Sequence, residues 1–313
     1  MISGRIPLGS ESKASYITKI GKLRSIVNEL KPDIFHSHHA SSFGFLASFV
    51  KHPRKILSVW GYDVIAFPYN NRLNRMMIKR ALNHAYYITA TSRFLKEAVL
   101  KLEKNISNIK IIPFGVDLDQ FKFFARKPGD EVIIGIAKAL RPKYGIDYLI
   151  HAFNKLQSRY GNIKLKIAGK GEHEHEYKKL VSDLGLGHSI EFTGFINHND
   201  FPEFLYSIDI FAMPSISDDE SFGVAAVEAS AVGLPVVASG VGGVPEVIDN
   251  NNTGFLIERK SVDSLADALE RLIKDPQLRA NMGKKGRKFV EENYVWSNNL
   301  HSMKVLYEKI LAT

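Results

Sequence analysis

Two glutamates, Glu220 and Glu228, bracket the start of the stretch ESFGVAAVEASAVGLPVVAS, residues 220–239. Ser221-Phe222-Gly223 leads from the first into a short apolar run, VAAVEASAV (224–232), whose only polar members are Glu228 and Ser230. At helical spacing Val224, Val227, Glu228 and Ala231 share one stripe. A carboxylate on such a stripe, if buried, must be paired or bound to something. A helix start offers unpaired N–H groups and a partial positive charge, which suits phosphate, and Gly223 lets a ligand approach the backbone closely. Phe222 and Glu228 would lie about 9 Å apart along the axis. A phosphate at the helix start and a hydroxyl-rich group beside Glu228 could then belong to one ligand. The competing reading is structural: Glu220 favours the helix dipole, and Glu228 faces solvent.

Other residues invite chemistry with less support. In DIFHSHH (33–39), Ile34, His36 and His38 share one face of a strand by period two. A metal site from His36, His38 and His39 is disfavoured, because no carboxylate pattern completes it. In GEHEHEY (171–177) successive His and Glu would splay around a helix, so a solvated loop and helix start is expected. Asp218-Asp219 is not a metal-binding Asp-x-Asp. GKG (169–171) lacks the third glycine and the ribose-binding acid of a dinucleotide fingerprint, which disfavours an NAD enzyme. No cysteine is present, so disulfides and thiolate metal sites are excluded and a cytoplasmic location is compatible.

The elements that must position these residues alternate along the chain. Short β-branched or aromatic runs occur at 33–38, 55–60, 86–92, 109–115, 131–140, 164–169, 190–194, 208–215, 234–239 and 253–258. Amphipathic stretches such as 13–30 and 261–275 fill the gaps. This alternation predicts parallel sheets covered by helices on both faces. The charged segment 117–131, with Pro128 and Gly129, is the expected linker. The expected domains are residues 1–121, residues 122–293, and a C-terminal helix over 294–313 returning toward the first domain. Two α/β domains would flank a cleft, with strand carboxyl ends facing it.

The 313 residues carry a net charge of +9, unevenly placed. Residues 1–125 hold 19 Lys and Arg against 8 Asp and Glu, and the remainder 23 against 25. KHPRK (51–55) and NRLNRMMIKR (71–80) suggest an anionic neighbour, either a membrane surface or a phosphate-bearing ligand. General solubility is the plainer explanation. No helix-turn-helix, zinc finger or aromatic RNA-binding motif supports nucleic acid. No apolar stretch approaches the roughly 20 residues needed to span a bilayer.

The stretch 220–239 resembles the Glu-x7-Glu signature of the retaining glycosyltransferases of family 4, which adopt the GT-B fold. KIIPFGVDLDQF (110–121), YGIDYLIHAF (144–153), IKLKIAGKGE, IEFTGFI, DIFAMPS and GVGGVPEVI follow in the family's order. The resemblance implies a nucleotide-diphosphate sugar donor, a glycan or lipid-linked acceptor, and no required metal or cofactor. Glu220 would contact hydroxyls of the donor sugar. Backbone N–H groups around Phe222, Gly223 and Val224 would hold the distal phosphate and sugar, and Glu228 would accept from the ribose hydroxyls. Gly242-Gly243 would wall the sugar pocket, and Gly169 completes the donor-binding set. His38, at the family's Asp-x-x-His-x-His strand end, would border the reacting sugar.

Two departures stand out. The family's Arg-Leu-x3-Lys-Gly pattern is here KALRPKYG (138–145), which puts Ala139 and Tyr144 in the places of the cations. Lys138, Arg141 and Lys143 lie nearby, and Lys138 and Lys143 are the expected replacements. The family's opening strand is also not recognisable, although Gly4 and Gly9 echo its glycine turn, so the first domain is expected to be incomplete. Three functions follow: an active transferase, its location cytoplasmic or peripheral on an anionic membrane; a non-catalytic donor-binding remnant; and a sugar-nucleotide epimerase of the same fold, which the Glu-x7-Glu stretch argues against.

Overall fold

The computed structural model describes residues 14–126 and 129–312. Gly4, Gly9, Lys13 and Pro128 therefore lie outside the described residues. The chain divides into two compact units. One comprises the chain up to Thr91, residues Leu95–Ile112 and the segment from Lys304; the other comprises Ser92–Phe94 and Pro113–Met303. The long division thus falls between Ile112 and Pro113 rather than at residue 121. Val116 already bridges to Val295 in parallel fashion, and Phe121 is buried among core residues of the second unit.

The first unit is built on four parallel strands, β1 (Phe35–His38), β2 (Lys55–Val59), β3 (Tyr87–Ala90) and β4 (Ile109–Ile111), in that spatial order. Leu57, Val59, Ile88 and Ala90 are buried with Ile78 and Leu82 of the helix Arg72–Asn83. The register sets His38 opposite Ser58 and Ser58 opposite Thr89, which lines polar side chains across three strands. The helix Trp296–Leu311 contributes its end from Lys304 to this unit.

The second unit holds six parallel strands: β5 (Val132–Ala137), β6 (Ile163–Ala168), β7 (Ile190–Gly194), β8 (Ile210–Met213), β9 (Val236–Ser239) and β10 (Gly254–Ile257). Their order is β10-β9-β8-β5-β6-β7. β5 is thus flanked by β6 on one side and β8 on the other, the doubly wound arrangement whose strand order reverses at β5 and β8. Ile134, Ile136, Leu165, Ile167, Ile210 and Ala212 are fully buried, as strands covered on both faces require. Each such side chain contributes about 1.5–3 kcal/mol for Val, Leu or Ile.

Every expected strand run overlaps an observed strand. The helix Val224–Ala231 also forms where its apolar run predicts it. It is buried because β8 and β9, on either side of it in sequence, are neighbours in the sheet.

Candidate donor-binding site

In an open parallel sheet, ligands bind beyond the strand carboxyl ends where the strand order reverses. Lys138 follows β5 there, and the segment 214–223 follows β8. Gly223 starts the helix Val224–Ala231 with φ 93° and ψ 47°, a left-handed conformation that costs glycine little. The N–H groups of Val224 and Ala225 precede the first bonds that the helix closes, from the Ala226 and Val227 N–H groups to Gly223 O at 3.0 and 3.2 Å, and point back toward this edge. The Phe222 side chain is not available to a ligand: it is buried between Phe114 and Tyr294, with ring centroids 5.6 and 5.5 Å away. Only its backbone can serve.

Glu228 lies one turn further along, 5% exposed. It does not face solvent. Its Oε1 is 2.8 Å from Nε2 of His198, which opens a short turn (His198–Asp200) after β7. Burial raises the Glu228 carboxyl above its ordinary pKa, while the hydrogen bond and charge of His198, and the charge of Lys138, act in the opposite direction. A cavity of about 460 Å³ brings Lys138, Gly169, Lys170, His198 and Glu228 to one surface. A second, of about 340 Å³, has Asp117, Gln120, Val224 and Trp296 on its walls and shares His198 and Glu228 with the first. The pair therefore stands at the boundary of two cavities.

Glu220 reaches the same edge. Its Oε2 accepts from Lys138 Nζ at 2.6 Å and from the buried Ser215 hydroxyl at 3.2 Å. Lys143 Nζ lies 3.5 Å from Asp219 Oδ2. Both lysine ammonium groups stand 5.1 Å from the centroid of the Tyr144 ring, within cation–π range. Arg141 turns away to Glu172 on the surface. Lys138 and Lys143, the expected replacements for the family's cations, thus gather around one aromatic ring.

The glycines act through close packing. A Cβ on Gly169 would lie 1.9 Å from the Lys138 carbonyl oxygen, so this glycine lets the ends of β5 and β6 meet. At Gly242 and Gly243 a Cβ would fall 2.2 Å from Glu220 O and 2.1 Å from Ser221 O. The Gly243 N–H donates to Glu220 O at 2.9 Å. This turn holds the backbone that precedes the helix start.

In the first unit, His36 and His38 stack at 4.2 Å between centroids, and Trp60 meets His38 edge-on at 5.6 Å. His36 is held on both sides, by Tyr307 OH at 2.7 Å and Ser58 Oγ at 2.8 Å. Burial, with His38 alongside, lowers its pKa to about 4; burial also lowers that of His38. His39 turns out of the strand with φ 73° and binds Ser41 through Nδ1. The three imidazoles do not converge. Among the described residues no group of three or more His, Asp or Glu could hold a metal ion. His173 and Glu174 pair with Glu176 and Lys178 of their own helix region, as a solvated helix start does.

A further cavity, about 260 Å³, opens at the opposite edge of the second sheet, beside Asp209 and Pro235, which precede β8 and β9. Of the cations that line it, Arg126 already donates to the carbonyls of Leu205 and Ile208, both at 2.7 Å, so it pins chain segments together.

Residues 117–289 match the family model described as "Glycosyl transferases group 1", and residues 3–92 match "Glycosyl transferase 4-like". The GDP-mannose-dependent alpha-(1-6)-phosphatidylinositol monomannoside mannosyltransferase of Mycolicibacterium smegmatis is 31% identical over 239 residues, which are 71% of this chain and 62% of the relative. The chain thus spans about three-fifths of that relative's length. Among solved structures, sucrose-phosphate synthase from Thermosynechococcus elongatus superposes with a TM-score of 0.83 at 23% identity, covering 98% of this chain and 82% of that one. Anabaena HepE in complex with UDP-glucose superposes with a TM-score of 0.78 at 22% identity, covering 93% and 82%. The fold is GT-B, with two Rossmann-like domains.

Proposed function

The chain belongs to the glycosyl transferases group 1 family, and on that premise we propose that it moves a sugar from a nucleotide-diphosphate donor to a glycan or lipid-linked acceptor, keeping the anomeric configuration. The observation that carries this reading is the buried Glu228 at the boundary of two cavities, with the Lys138–Glu220 pair at the same strand edge. A buried carboxylate of raised pKa is costly without partners. Ribose hydroxyls would add to, or replace, its bond to His198. The helix start at Gly223 suits the diphosphate, and Glu220 suits the hydroxyls of the sugar.

In the reaction the bond from sugar C1 to the diphosphate oxygen breaks and a bond from C1 to the acceptor hydroxyl oxygen forms. The hydroxyl proton passes to the departing diphosphate. Charge builds on that diphosphate. Lys138, Lys143 and the backbone amides at 222–224 would stabilise it from fixed positions. From the first unit, His38 is assigned the contact with the reacting sugar that the family resemblance implies. The mycobacterial relative uses GDP-mannose and a phosphatidylinositol mannoside, by its name, which supports a lipid-linked acceptor.

A non-catalytic donor-binding role is favoured by one observation: Lys138 is already neutralised by Glu220 at 2.6 Å. A thermal-shift panel of UDP-, GDP- and ADP-sugars on the wild type and Glu228→Ala tests donor binding. Stabilisation by one nucleotide class, lost in the variant, supports the site; no stabilisation by any of them removes it. Stabilisation with no transfer and no donor hydrolysis selects the non-catalytic reading.

A further inference from the structure

The cavity of about 260 Å³ at the opposite edge of the second sheet carries more positive charge than its own walls use. Arg126, Arg279 and Lys284 line it, against a single acid, Asp209. Arg279 is 9% exposed, and only its Nη1 is engaged, donating to the carbonyls of Leu272 and Ile273 at 2.5 and 3.1 Å. Its Nε and Nη2 meet no acceptor among the described residues and are not sealed from solvent, so they open to the cavity. Lys284 is exposed beside it and pairs with no acid among the described residues. Asp209 spends its Oδ2 on the Ile133 N–H at 2.8 Å and forms no ion pair among the described residues. Burial lowers the pKa of both guanidinium groups, that of Arg126 to about 10, and the charge of Asp209 restores only part of it. The helix Pro276–Asn293 starts on the same wall. Pro276 has no N–H, and Asp275 takes those of Leu278 and Arg279 through its side chain and carbonyl, at 2.9 and 3.1 Å. That leaves the Gln277 N–H, at the positive end of an eighteen-residue helix, without an acceptor among the described residues.

We propose that this cavity binds a small phosphate monoester, its phosphate meeting Arg279, Lys284 and the Gln277 N–H and its body lying on Phe123 and Phe124. Three cations against one acid leave a surplus of two charges, which a phosphate monoester matches at about −1.5 to −2 near neutral pH. The guanidinium fork suits phosphate oxygens. The rest of the wall is apolar: Phe123 and Phe124, 41% and 47% exposed, stand there with Pro235 and Pro276. Phe123 is held close to the main chain, since a Cβ on Gly233 would come within 2.6 Å of its ring. Bare phosphate leaves these rings wet, whereas a ligand with a flat body covers them. The volume falls below the usual range of ligand pockets, about 300–1,000 Å³, so the body is a single ring and not a whole nucleotide. Gly233 on this wall follows the helix that carries Glu228, so the cavity meets the other end of the donor-site helix. Its residues are separate from those of the donor site, and the proposal does not rest on the donor reading.

The test is titration calorimetry of the full chain with phenyl phosphate, alone and with saturating UDP. One site is expected, unaltered by UDP and about tenfold tighter than for inorganic phosphate, because the ring adds apolar burial. Arg279→Gln should weaken binding by about tenfold or more, the scale for losing a charged hydrogen-bond partner. That variant also frees the carbonyls of Leu272 and Ile273, so two exposed positions keep the test decisive if it does not fold. Lys284→Ser should weaken binding about threefold, as a solvent-screened charge does. Ala280→Trp, at an exposed position on the cavity wall, should block the cavity without removing a charge and abolish binding. Absence of binding, an affinity no higher than that of inorganic phosphate, or full binding by Ala280→Trp overturns the proposal. So does displacement of phenyl phosphate by UDP, which would assign the bound anion to the donor site.

Discussion

His198 and Glu228 meet across thirty residues of sequence through a 2.8 Å hydrogen bond, with the carboxylate buried and the imidazole largely exposed. The histidine supplies a partner to a carboxylate that its own helix cannot satisfy. A ligand at this place has either to share that carboxylate, through its second oxygen, or to displace the ring.

Removing the imidazole should therefore cost more in the free protein than in the donor complex. His198→Ala leaves a buried carboxylate without its bond, at a cost of about 1–3 kcal/mol. Ribose hydroxyls would restore the bonding. Thermal melts of wild type and variant, with and without saturating donor, should show a Tm gap that narrows in the complex. A gap of equal width with donor would place the ribose elsewhere.

Burial raises the Glu228 pKa, which fixes the sign of a pH effect. Between the ordinary carboxylate value and the raised one, the folded state binds more protons than the unfolded state. Its contribution to stability therefore falls as pH rises through that window. Glu228→Gln should remove this segment of the stability–pH curve. Donor affinity, which needs the charged acceptor, should rise over the same interval in the wild type alone.

Lys138 and Lys143 should separate in kinetics. Lys138→Met is expected to lower turnover by about 10²–10³-fold, the scale for losing one fixed group that stabilises developing charge. Lys143 sits farther from its acid and is more exposed, at 3.5 Å from Asp219. Lys143→Met should cost about tenfold, because screening weakens the exposed charge. Steady-state transfer rates at saturating donor check the order. Equal turnover in Lys138→Met and wild type would remove Lys138 from the reaction.

His36 gives the first unit an acid-side weakness. Its pKa is lowered from 6.5 to about 4, so in that interval the unfolded state takes up the proton that the folded state refuses. Stability is present above about 6.5 and is lost as pH falls toward 4, by at most on the order of 3 kcal/mol. Urea unfolding of wild type and His36→Gln across this range should show the steeper acid loss in the wild type. Parallel curves would mean that His36 takes up its proton without disturbing its bonds to Tyr307 and Ser58.

Most of the framework could be read from the chain because it is written locally. Runs such as VIIGIA and IKLKIA between turn residues declare buried parallel strands, and the strands lie where those runs are. Glu228 declared itself by being polar where its neighbours are not. His198 did not: it sits in INHND, a polar surface turn, and its meaning comes from a residue thirty positions away. The available signal was its place just past the end of β7, on the sheet edge that also carries the Glu220 segment. Likewise the five-residue helical turn Ala40–Gly44 is too short to show a period. The pairing of Lys138 with Glu220 depends on β5 and β8 lying side by side, which follows from sheet order and from no local pattern.

The Gly242-Gly243 turn carries a lesson for anyone mutating this chain at random. Because any larger residue there would collide with main-chain oxygens at 220 and 221, survivors chosen merely for expression would already retain both glycines. Their persistence in such a library would record a geometric prohibition, and would say nothing about which sugar, if any, was being selected.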